Sequence, residues 1–441
     1  MNKDDVLNSE YKECLNFLYS RLPMYQRIGK AAYKANLDNI ISLCNYLGNP
    51  QDKLKFIHIA GTNGKTSVSH YIASILEKAG YKTGLYTSPH LIDFRERILV
   101  NSKMIDKRYV CKFVDMHKDF ILECKPSFFE ITVAIAFQYF VDENIDCAVI
   151  EVGLGGRLDS TNIIKPLLSI ITNIGFDHMD FLGNDLRSIA GEKAGIIKEN
   201  TPVIISETQN EIKDIFIDKA LGLHSSIYFA DELIEVLDEQ SSLDNLKISC
   251  RSYFSNRHYE INSNLVGHYE VKNIRAVILA TEILKDEFRI SEEALKAGFK
   301  STVLRGRWEV LHKNPLAICD TGHNAEGIKE VVDCIKLIKY NKLHIVFGAV
   351  GDKNLDEIVT LLPKDAEYYF CKPSIPRGMD IEILKAKFQS AGITGKSFPS
   401  CYDAYQQALK NAGDDDLVFV GGSTFVVADV LEAIEIRLNI R

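Results

Sequence analysis

The sequence has little of what marks secreted, membrane-bound or nucleic-acid-coating proteins. Its ten cysteines are scattered over 441 residues with no CxxC pair, and there is one tryptophan. Lysine and arginine number 52 against 60 acidic residues, so the net charge is −8, and there is no long basic run. Scattered cysteines are typical of a reduced protein, and an acidic chain favours neither nucleic acid nor an anionic membrane as a partner.

Long apolar stretches are also missing. No segment approaches the roughly 18 apolar residues of a membrane span, and residues 1–13 contain no apolar signal-peptide core. The composition, 46% hydrophobic and 25% charged, is that of a globular protein. We therefore expect a soluble cytoplasmic protein, monomeric by default, that acts on small molecules.

Two series of short apolar runs alternate with helical patterns, which predicts an α/β fold with mainly parallel sheets. The runs of the first series are 55–60, 83–86, 147–151, 168–172 and 202–205, and those of the second are 316–320, 344–347, 367–370 and 417–420. Residues 225–265 between them are richer in β patterns. A boundary near 300–305 predicts a first domain at 1–300 and a second, smaller one at 305–441.

A glycine-containing loop follows the first run directly. The segment Gly61-Thr-Asn-Gly-Lys-Thr-Ser67 lies between an apolar strand pattern and a helical stripe that starts at Val68. Backbone N–H groups of such a loop bind phosphate oxygens together with the helix N-terminus, and Lys65 supplies a positive charge. The spacing is shorter than the usual GxxxxGK[ST], and the alternative is a glycine-rich turn with an incidental lysine. We predict that Gly61, Thr62, Asn63, Gly64, Lys65, Thr66 and Ser67 bind a nucleotide.

Polar residues follow the other parallel runs. Ligands bind at the carboxyl ends of the strands in such sheets, where the sequence places Ser88, Glu151 and His178. A hydroxyl, a carboxylate and an imidazole could together hold Mg²⁺ beside a triphosphate. Taken singly, Ser88 could be a turn residue, Glu151 a surface acid and His178 a loop histidine.

Lys193 lies on the apolar face of its predicted helix, at i+7 from Leu186 and i+4 from Ile189. A buried lysine must be paired, deprotonated or modified. The alternative is a lysine whose amine reaches the solvent at the helix edge.

These motifs together resemble a known family. The segments are 61–65, 86–91 with 94–98, 151–159, 177–178 with 191–195, 306–309, 320–324, 346–348 with 352–353, and 422–423. Over residues 10–435 the chain resembles folylpolyglutamate synthase/dihydrofolate synthase of the Mur ligase superfamily. The resemblance implies a P-loop-containing, mainly parallel sheet domain and a smaller C-terminal Rossmann-like glutamate-ligase domain.

The resemblance implies an ATP-dependent ligase that adds L-glutamate to a pterin carboxylate. In this chemistry the γ-phosphoryl group of ATP passes to the carboxylate, and the glutamate amine attacks the resulting acyl phosphate. By similarity, Ser88, Glu151 and His178 are ligands of one or two Mg²⁺ ions. Lys193 matches a carbamylated lysine, and with Lys65, His178 and His323 it forms the expected catalytic set.

Further contacts are implied by the same resemblance. Arg307 and Asp320 match nucleotide-contacting residues, His323 matches a histidine that faces the phosphates, and Asn273 matches an asparagine near the base. The pterin is expected near the segment Met24-Tyr-Gln-Arg-Ile-Gly29.

Two segments depart from the family pattern. Thr66 replaces the usual glycine after the loop lysine, and its hydroxyl could touch Mg²⁺. The usual Gly-Pro-His-Gln becomes Gly267-His-Tyr-Glu270, which puts adenine contacts from that turn in doubt.

Other functions fit the sequence less well. A Mur enzyme acting on a UDP-sugar should have a further domain of about 100 residues before the loop, where this sequence has 60 residues. A P-loop GTPase should have an NKxD motif, and a non-catalytic nucleotide-binding protein would not need the whole set of Lys65, Ser88, Glu151, His178 and Lys193. The sequence leaves open whether the dihydrofolate step, the polyglutamate step or both are performed.

Overall fold

The structure is a computed structural model that describes residues 3–23, 36–351 and 355–439. The segment predicted to bind the pterin, Met24–Gly29, lies outside the described residues, as do Asp352 and Lys353 of one family motif. The chain forms two compact units. Unit 1 comprises residues 1–240, 246–264 and 270–302, and unit 2 comprises 241–245, 265–269 and 303–441.

Unit 1 is built on an eight-stranded sheet. Its strands are β1 (Phe56–Ala60), β2 (Thr83–Tyr86), β3 (Ile98–Val100), β4 (Lys103–Met104), β5 (Cys147–Glu151), β6 (Leu168–Ile171), β7 (Val203–Ile205) and β8 (Ile227–Phe229). Their order is β4-β3-β2-β5-β1-β6-β7-β8, and only the β2–β3 and β3–β4 pairs are antiparallel. The central strands β1 and β5 are buried along their whole length, as expected where helices cover both faces.

Helices precede and connect these strands along the chain. They are α1 (Lys3–Arg21), α2 (Asp38–Tyr46), α3 (Lys65–Lys78), α4 (Lys107–Cys124), α5 (Phe128–Asp142), α6 (Met179–Leu182), α7 (Leu186–Ala194), α8 (Lys213–Gly222) and α9 (Ala230–Leu233). The local sequence fixes several of their ends. Ser127 and Glu130, for example, form a capping box at the start of α5, which satisfies two backbone N–H groups that the helix itself leaves unpaired.

A small antiparallel sheet completes this half of the chain. It consists of β9 (Ile234–Ser241), β10 (Leu246–Ser252) and β11 (His258–Ser263), followed by α10 (Glu270–Ile283) and α11 (Glu292–Ser301). Helix α11 approaches α3 closely at Gly298, where an added Cβ would lie 2.6 Å from the Cα of Ile75. The β patterns predicted for 225–265 are therefore present.

Unit 2 contains a six-stranded sheet. Its strands are β12 (Glu309–His312), β13 (Leu316–Cys319), β14 (Leu343–Phe347), β15 (Glu367–Phe370), β16 (Gly395–Ser397) and β17 (Leu417–Gly421), in the order β12-β13-β17-β14-β15-β16. Only β12 is antiparallel to its neighbour. Its helices are α12 (Ala325–Lys336), α13 (Asp356–Leu361), α14 (Ile381–Ser390), α15 (Cys401–Asn411) and α16 (Thr424–Asn439).

Both sheets are mainly parallel, so the predicted fold class is confirmed. One detail differs from the sequence interpretation, because the short segments 241–245 and 265–269 pack with unit 2 although they precede residue 300. No described helix combines the length and apolar character that crossing a membrane requires.

Candidate active site

The glycine loop connects the buried strand β1 to helix α3, as predicted. Gly61 has φ +144° and Gly64 has φ +82°, a backbone region that favours glycine. Gly64 is the residue before the first turn of α3, and no side chain caps its N-terminus. The first N–H groups of α3 therefore have no capping side chain, which is the arrangement that binds phosphate in P-loops.

Two lysines point at the same carbonyl of this loop. The Lys65 Nζ donates to the carbonyl oxygens of Gly61 and Thr62, at 3.1 and 2.9 Å. The Lys193 Nζ also donates to the Gly61 oxygen, at 2.7 Å, and its side chain is only 4% exposed. The lysine on the apolar face of α7 is thus buried beside the loop.

A glycine-rich segment after β5 fixes the position of α7. A Cβ at Gly156 would lie 3.1 Å from the Cα of Lys193, and one at Gly195 would lie 2.4 Å from the Cα of Arg157. The Arg157 N–H donates to the Glu192 carbonyl at 2.8 Å. Only glycine allows the two backbones to approach so closely, which holds Lys193 against the glycine loop.

Glu151 connects the loop to the end of strand β2. This carboxylate is 1% exposed. Its Oε1 accepts a hydrogen bond from the Thr66 hydroxyl at 3.0 Å, and its Oε2 accepts one from the Ser88 N–H at 3.3 Å. The structure therefore brings together Thr66, Ser88 and Glu151, which lie far apart in the sequence.

The loop that carries Ser88 is braced by Glu96. Its carboxylate accepts hydrogen bonds from the backbone N–H groups of residues 91, 92 and 93, at 2.6, 3.0 and 2.7 Å. In the same loop the Arg97 Nε donates to the His90 Nδ1 at 2.7 Å. Burial and the Arg97 charge hold the pKa of His90 well below its usual value, so the ring is neutral near pH 7 with its proton on Nε2.

His178 immediately precedes the short helix α6 and has a left-handed backbone, with φ 52°. Its N–H donates to the Asp177 Oδ1 at 2.8 Å, and its Nε2 lies 3.8 Å from the Asp177 Oδ2. Across residues 3–23, 36–351 and 355–439, no group of three or more histidine, cysteine, aspartate or glutamate side chains is arranged to hold a metal ion. The place of His178 among magnesium ligands stays a prediction.

Ser67 and Asn273 lie beside the loop. The Ser67 hydroxyl is buried and donates to the Glu270 Oε1 at 2.6 Å. Asn273, on α10, packs against the loop so closely that a Cβ at Gly64 would lie 2.3 Å from its Oδ1. Asn273 is therefore adjacent to the predicted nucleotide loop, and the hydroxyl of Ser67 is directed towards Glu270.

In unit 2, the predicted nucleotide contacts cluster at the end of β13. The buried Asp320 carboxylate accepts hydrogen bonds from the Trp308 N–H, the Tyr269 hydroxyl and the Gly322 N–H, at 2.9, 2.9 and 2.7 Å. The Arg307 Nη1 donates to the Thr321 hydroxyl.

His323 lies in the same turn, where its Nδ1 is 3.1 Å from the Thr321 carbonyl oxygen. Asp320 thus holds two backbone turns together, and the roles of Arg307, Asp320 and His323 toward a nucleotide stay predictions.

Comparison with known proteins identifies the family. The Mur ligase middle domain matches residues 59–281, and the Mur ligase, glutamate ligase domain, matches residues 306–424. A Bacillus subtilis (strain 168) protein named dihydrofolate synthase/folylpolyglutamate synthase is 32% identical over 433 residues, which are 95% of this chain and 98% of that protein. The chain belongs to the dihydrofolate synthase/folylpolyglutamate synthase family of Mur ligases.

Solved structures agree with this family assignment. E. coli FolC in complex with DHPP and ADP has a TM-score of 0.86 and 27% identity, covering 97% of this chain and 98% of that one. Mycobacterium tuberculosis folylpolyglutamate synthase complexed with ADP and AMPPCP has a TM-score of 0.86 and 26% identity, with the same coverage.

The sequence interpretation missed two residues that shape the glycine loop, namely Thr172 and Asn173. The Thr62 N–H donates to the Asn173 carbonyl and the Asn63 N–H to the Asn173 Oδ1, both at 2.8 Å. The Thr172 hydroxyl donates to the Asn63 carbonyl at 2.5 Å. Both residues follow β6, so polar side chains at that strand end were the signal that could have identified them.

Proposed function

We propose that the chain is an ATP-dependent ligase that joins the amino group of L-glutamate to a pterin carboxylate and releases ADP and phosphate. The observation that carries the proposal is the phosphate loop with Lys65, connected through Thr66 to the buried Glu151. Family membership supports the proposal, because relatives over nearly the whole chain are named dihydrofolate synthase/folylpolyglutamate synthase. Solved relatives in complex with ADP support ATP as the cosubstrate.

The loop and helix α3 would bind the phosphates of ATP. The N–H groups at the start of α3 carry the positive end of the helix dipole. Lys65 would exchange its present bonds to loop carbonyls for the charged oxygens of the transferring phosphoryl group. Catalysis would therefore depend on positioning and on charge neutralisation.

The donor set fits magnesium. Mg²⁺ prefers hard oxygen ligands and is commonly held by one or two carboxylates together with phosphate oxygens. Glu151 supplies the carboxylate, and the Thr66 hydroxyl and the loop of Ser88 already lie next to it. Ser88, Glu151 and His178 would hold one or two ions, which would neutralise charge on the phosphates.

The reaction requires activation because a carboxylate is a poor electrophile. The γ-phosphoryl group would move from ATP to a carboxylate oxygen of the pterin substrate, giving ADP and an acyl phosphate. The glutamate amine would then attack the acyl carbon, lose a proton and displace inorganic phosphate. Positioning of the amine and the acyl phosphate would contribute most of the acceleration of this second step.

Lys193 is proposed to carry a carbamate. The ammonium group first loses one proton, and addition of CO₂ to the neutral amine then forms an N–C bond and releases a second proton, so that a buried cation becomes an anion. The modified Nζ keeps one N–H, so its bond to the Gly61 carbonyl can persist. We expect a carbamate signal in ¹³C NMR after equilibration with labelled bicarbonate. The Lys193→Ala variant should lack this signal, and a wild-type spectrum without it would contradict the modification.

Residues of unit 2 are proposed to contact the nucleotide as well. Arg307 offers a guanidinium to phosphate oxygens, and His323 an imidazole. Asp320 would act by holding the turns that carry them, since its oxygens accept three hydrogen bonds. Asn273 would lie near the base.

The deciding experiment is a phosphate-release assay with ATP, Mg²⁺, L-glutamate and either dihydropteroate or tetrahydrofolate, each component being omitted in turn. We expect release only when all components are present, and mass spectrometry should show the product with one added glutamate. Release that does not depend on glutamate, or no release with either pterin, would contradict the proposal. Comparison of the two pterins shows which of the two steps this enzyme performs.

A further inference from the structure

Glu270 is a buried carboxylate in one of the two segments that depart from the family pattern. Its side chain is 0% exposed, and it is the first residue of α10. Its Oε1 accepts a hydrogen bond from the Ser67 hydroxyl at 2.6 Å, and its Oε2 accepts one from the Asn273 Nδ2 at 2.9 Å. Donors from two helices, α3 and α10, therefore converge on one carboxylate.

The location favours an anion at this position. Ser67 lies in the first turn of α3, and Glu270 opens α10, so the carboxylate lies at the amino ends of two helices. The positive ends of two helix dipoles stabilise a negative charge there. A carboxylate is also an acceptor on both oxygens, which matches hydroxyl and amide donors without conflict.

The contact with Glu270 determines how Asn273 is oriented. Because the Asn273 Nδ2 donates to Glu270, its Oδ1 must point the other way, and it lies against Gly64 of the phosphate loop. The distances agree, since a Cβ at Gly64 would be 2.3 Å from the Oδ1 and 3.4 Å from the Nδ2. A glutamine at 270 could present an N–H₂ group to Asn273, which would favour the amide turned by 180°.

We propose that Glu270 is a positioning residue of the nucleotide site, which acts by fixing the amide orientation of Asn273 against the phosphate loop. The inference rests on the proposed function, since it assumes that Asn273 and the loop bind ATP. The proposal also explains why a glutamate is present at 270. Its carboxylate only accepts hydrogen bonds, whereas an amide can also donate, so the carboxylate fixes the orientation of the Asn273 amide.

The test is calorimetric titration of the whole protein with ADP and Mg²⁺, together with steady-state kinetics. We expect Glu270→Gln to weaken ADP binding and to raise the KM for ATP by about threefold to tenfold, the range for one lost hydrogen bond. The KM for glutamate and kcat should stay within about twofold. In an Asn273→Ala background the same substitution should have no further effect, because the residue through which it acts is gone.

Glu282→Gln is the matched control. Glu282 is a buried carboxylate at the other end of α10, and it accepts hydrogen bonds from the hydroxyls of Ser252, Ser255 and Tyr259. Its substitution should lower the melting temperature without changing the KM for ATP. If Glu270→Gln does not fold, Glu270→Asp keeps the charge, withdraws the oxygens from Asn273 and carries the same expectation.

Two results separate the inference from the proposed function. A wild-type protein that binds no ADP would contradict the nucleotide site as a whole. A Glu270→Gln variant that binds ADP as tightly as the wild type does would overturn the positioning role alone. The same conclusion would follow if Glu270→Gln raised the KM for ATP as much in the Asn273→Ala background as in the wild type.

Discussion

The Gly61 carbonyl accepts hydrogen bonds from two lysines, Lys65 and Lys193, and this pairing has an electrostatic consequence. Both amines lie within hydrogen-bonding distance of one oxygen, so they are no more than about 6 Å apart, and two full charges there would repel by roughly 3 kcal/mol at an effective dielectric constant of 20. Either a phosphate bound between them or the conversion of one amine into a carbamate relieves this repulsion. The geometry thus agrees with an anion-binding role for the loop.

Lys65→Ala tests the phosphate role directly. Loss of the amine removes the positive charge that would stabilise the transferring phosphoryl group. We therefore expect glutamate-dependent phosphate release to fall about 10²- to 10³-fold. Lys78→Ala is the control, because this exposed lysine lies in the last turn of the same helix. Turnover of Lys65→Ala near that of the control would remove the loop lysine from the mechanism.

The buried His58 should make the free energy of unfolding depend on pH. It is fully buried on β1, and burial, with a smaller contribution from the Lys198 charge, lowers its pKa to about 3. The Thr161 hydroxyl donates to Asp159, so the His58 Nε2–H donates to the Thr161 oxygen, at 2.9 Å. The folded state therefore binds a proton less readily than the unfolded chain, and stability is lost as the pH falls from about 6.5 towards 3.

We expect the free energy of unfolding to fall by roughly 2 kcal/mol between pH 7 and pH 5 because of this histidine. At pH 5 the pH is about 1.5 units below the pKa of the unfolded histidine, so the unfolded chain binds the proton while the folded protein does not. Urea unfolding at the two pH values should show that loss in the wild type and a smaller one in His58→Gln. His258→Gln, at an exposed position on β11, should behave as the wild type. Equal losses in all three proteins would show that His58 does not determine the acid sensitivity.

At the scale of secondary structure elements, the central strands were predictable and most of the edge strands were not. The predicted runs 55–60, 147–151 and 168–172 correspond to β1, β5 and β6, which are buried and therefore uniformly apolar. The sequence interpretation missed β3, β4, β12 and β16. All except the three-residue β3 are at sheet edges, where partial exposure removes the apolar signal.

For the glycine loop, the local order of elements could be predicted but its contacts with a distant part of the chain could not. Strand, loop and helix follow one another in the chain, so their order could be predicted from spacing. The contacts of Thr172 and Asn173 with the loop arise because β6 pairs with β1 in the sheet, and the chain reaches that neighbour only after more than 100 residues. Local sequence patterns contain no information on which strands are neighbours.

Gly61→Ala tests the close contact between loop and β6. A Cβ there would lie 1.8 Å from the Thr172 Oγ1, and φ is +144°. Gly80 also has a positive φ, +94°, but nothing lies within 4 Å of its added Cβ. Gly80→Ala should therefore cost about 1–2 kcal/mol for the backbone alone. Gly61→Ala should cost more and should also abolish ADP binding, because Thr172 must move and it holds the Asn63 carbonyl.

Thermal denaturation and ADP titration of both glycine variants give the comparison. If Gly61→Ala bound ADP as well as Gly80→Ala does, the contact with Thr172 would not shape the binding loop.

On the scale of the whole molecule, each unit has its own core, and buried thiols lie in both. All ten cysteines are thiols that take part in no disulfide. Seven are buried, namely Cys44, Cys147, Cys250, Cys319, Cys334, Cys371 and Cys401, and three are partly exposed, namely Cys14, Cys111 and Cys124. Burial raises the pKa of Cys147 and Cys250 in unit 1, and of Cys334 in unit 2, to about 12. These thiols therefore report on the opening of each unit separately.

Alkylation with N-ethylmaleimide followed by peptide mass mapping should divide the cysteines accordingly. At pH 8 a thiol with a pKa near 12 is only about one part in 10⁴ thiolate, and burial blocks the reagent as well. We expect at most the three partly exposed cysteines to react quickly in the native protein, and all ten to react in 8 M urea. Intermediate urea concentrations would then show whether Cys147 and Cys334 become reactive together, as in one cooperative transition, or at different concentrations. Rapid native labelling of Cys147 or Cys334 would contradict the burial on which both cores depend.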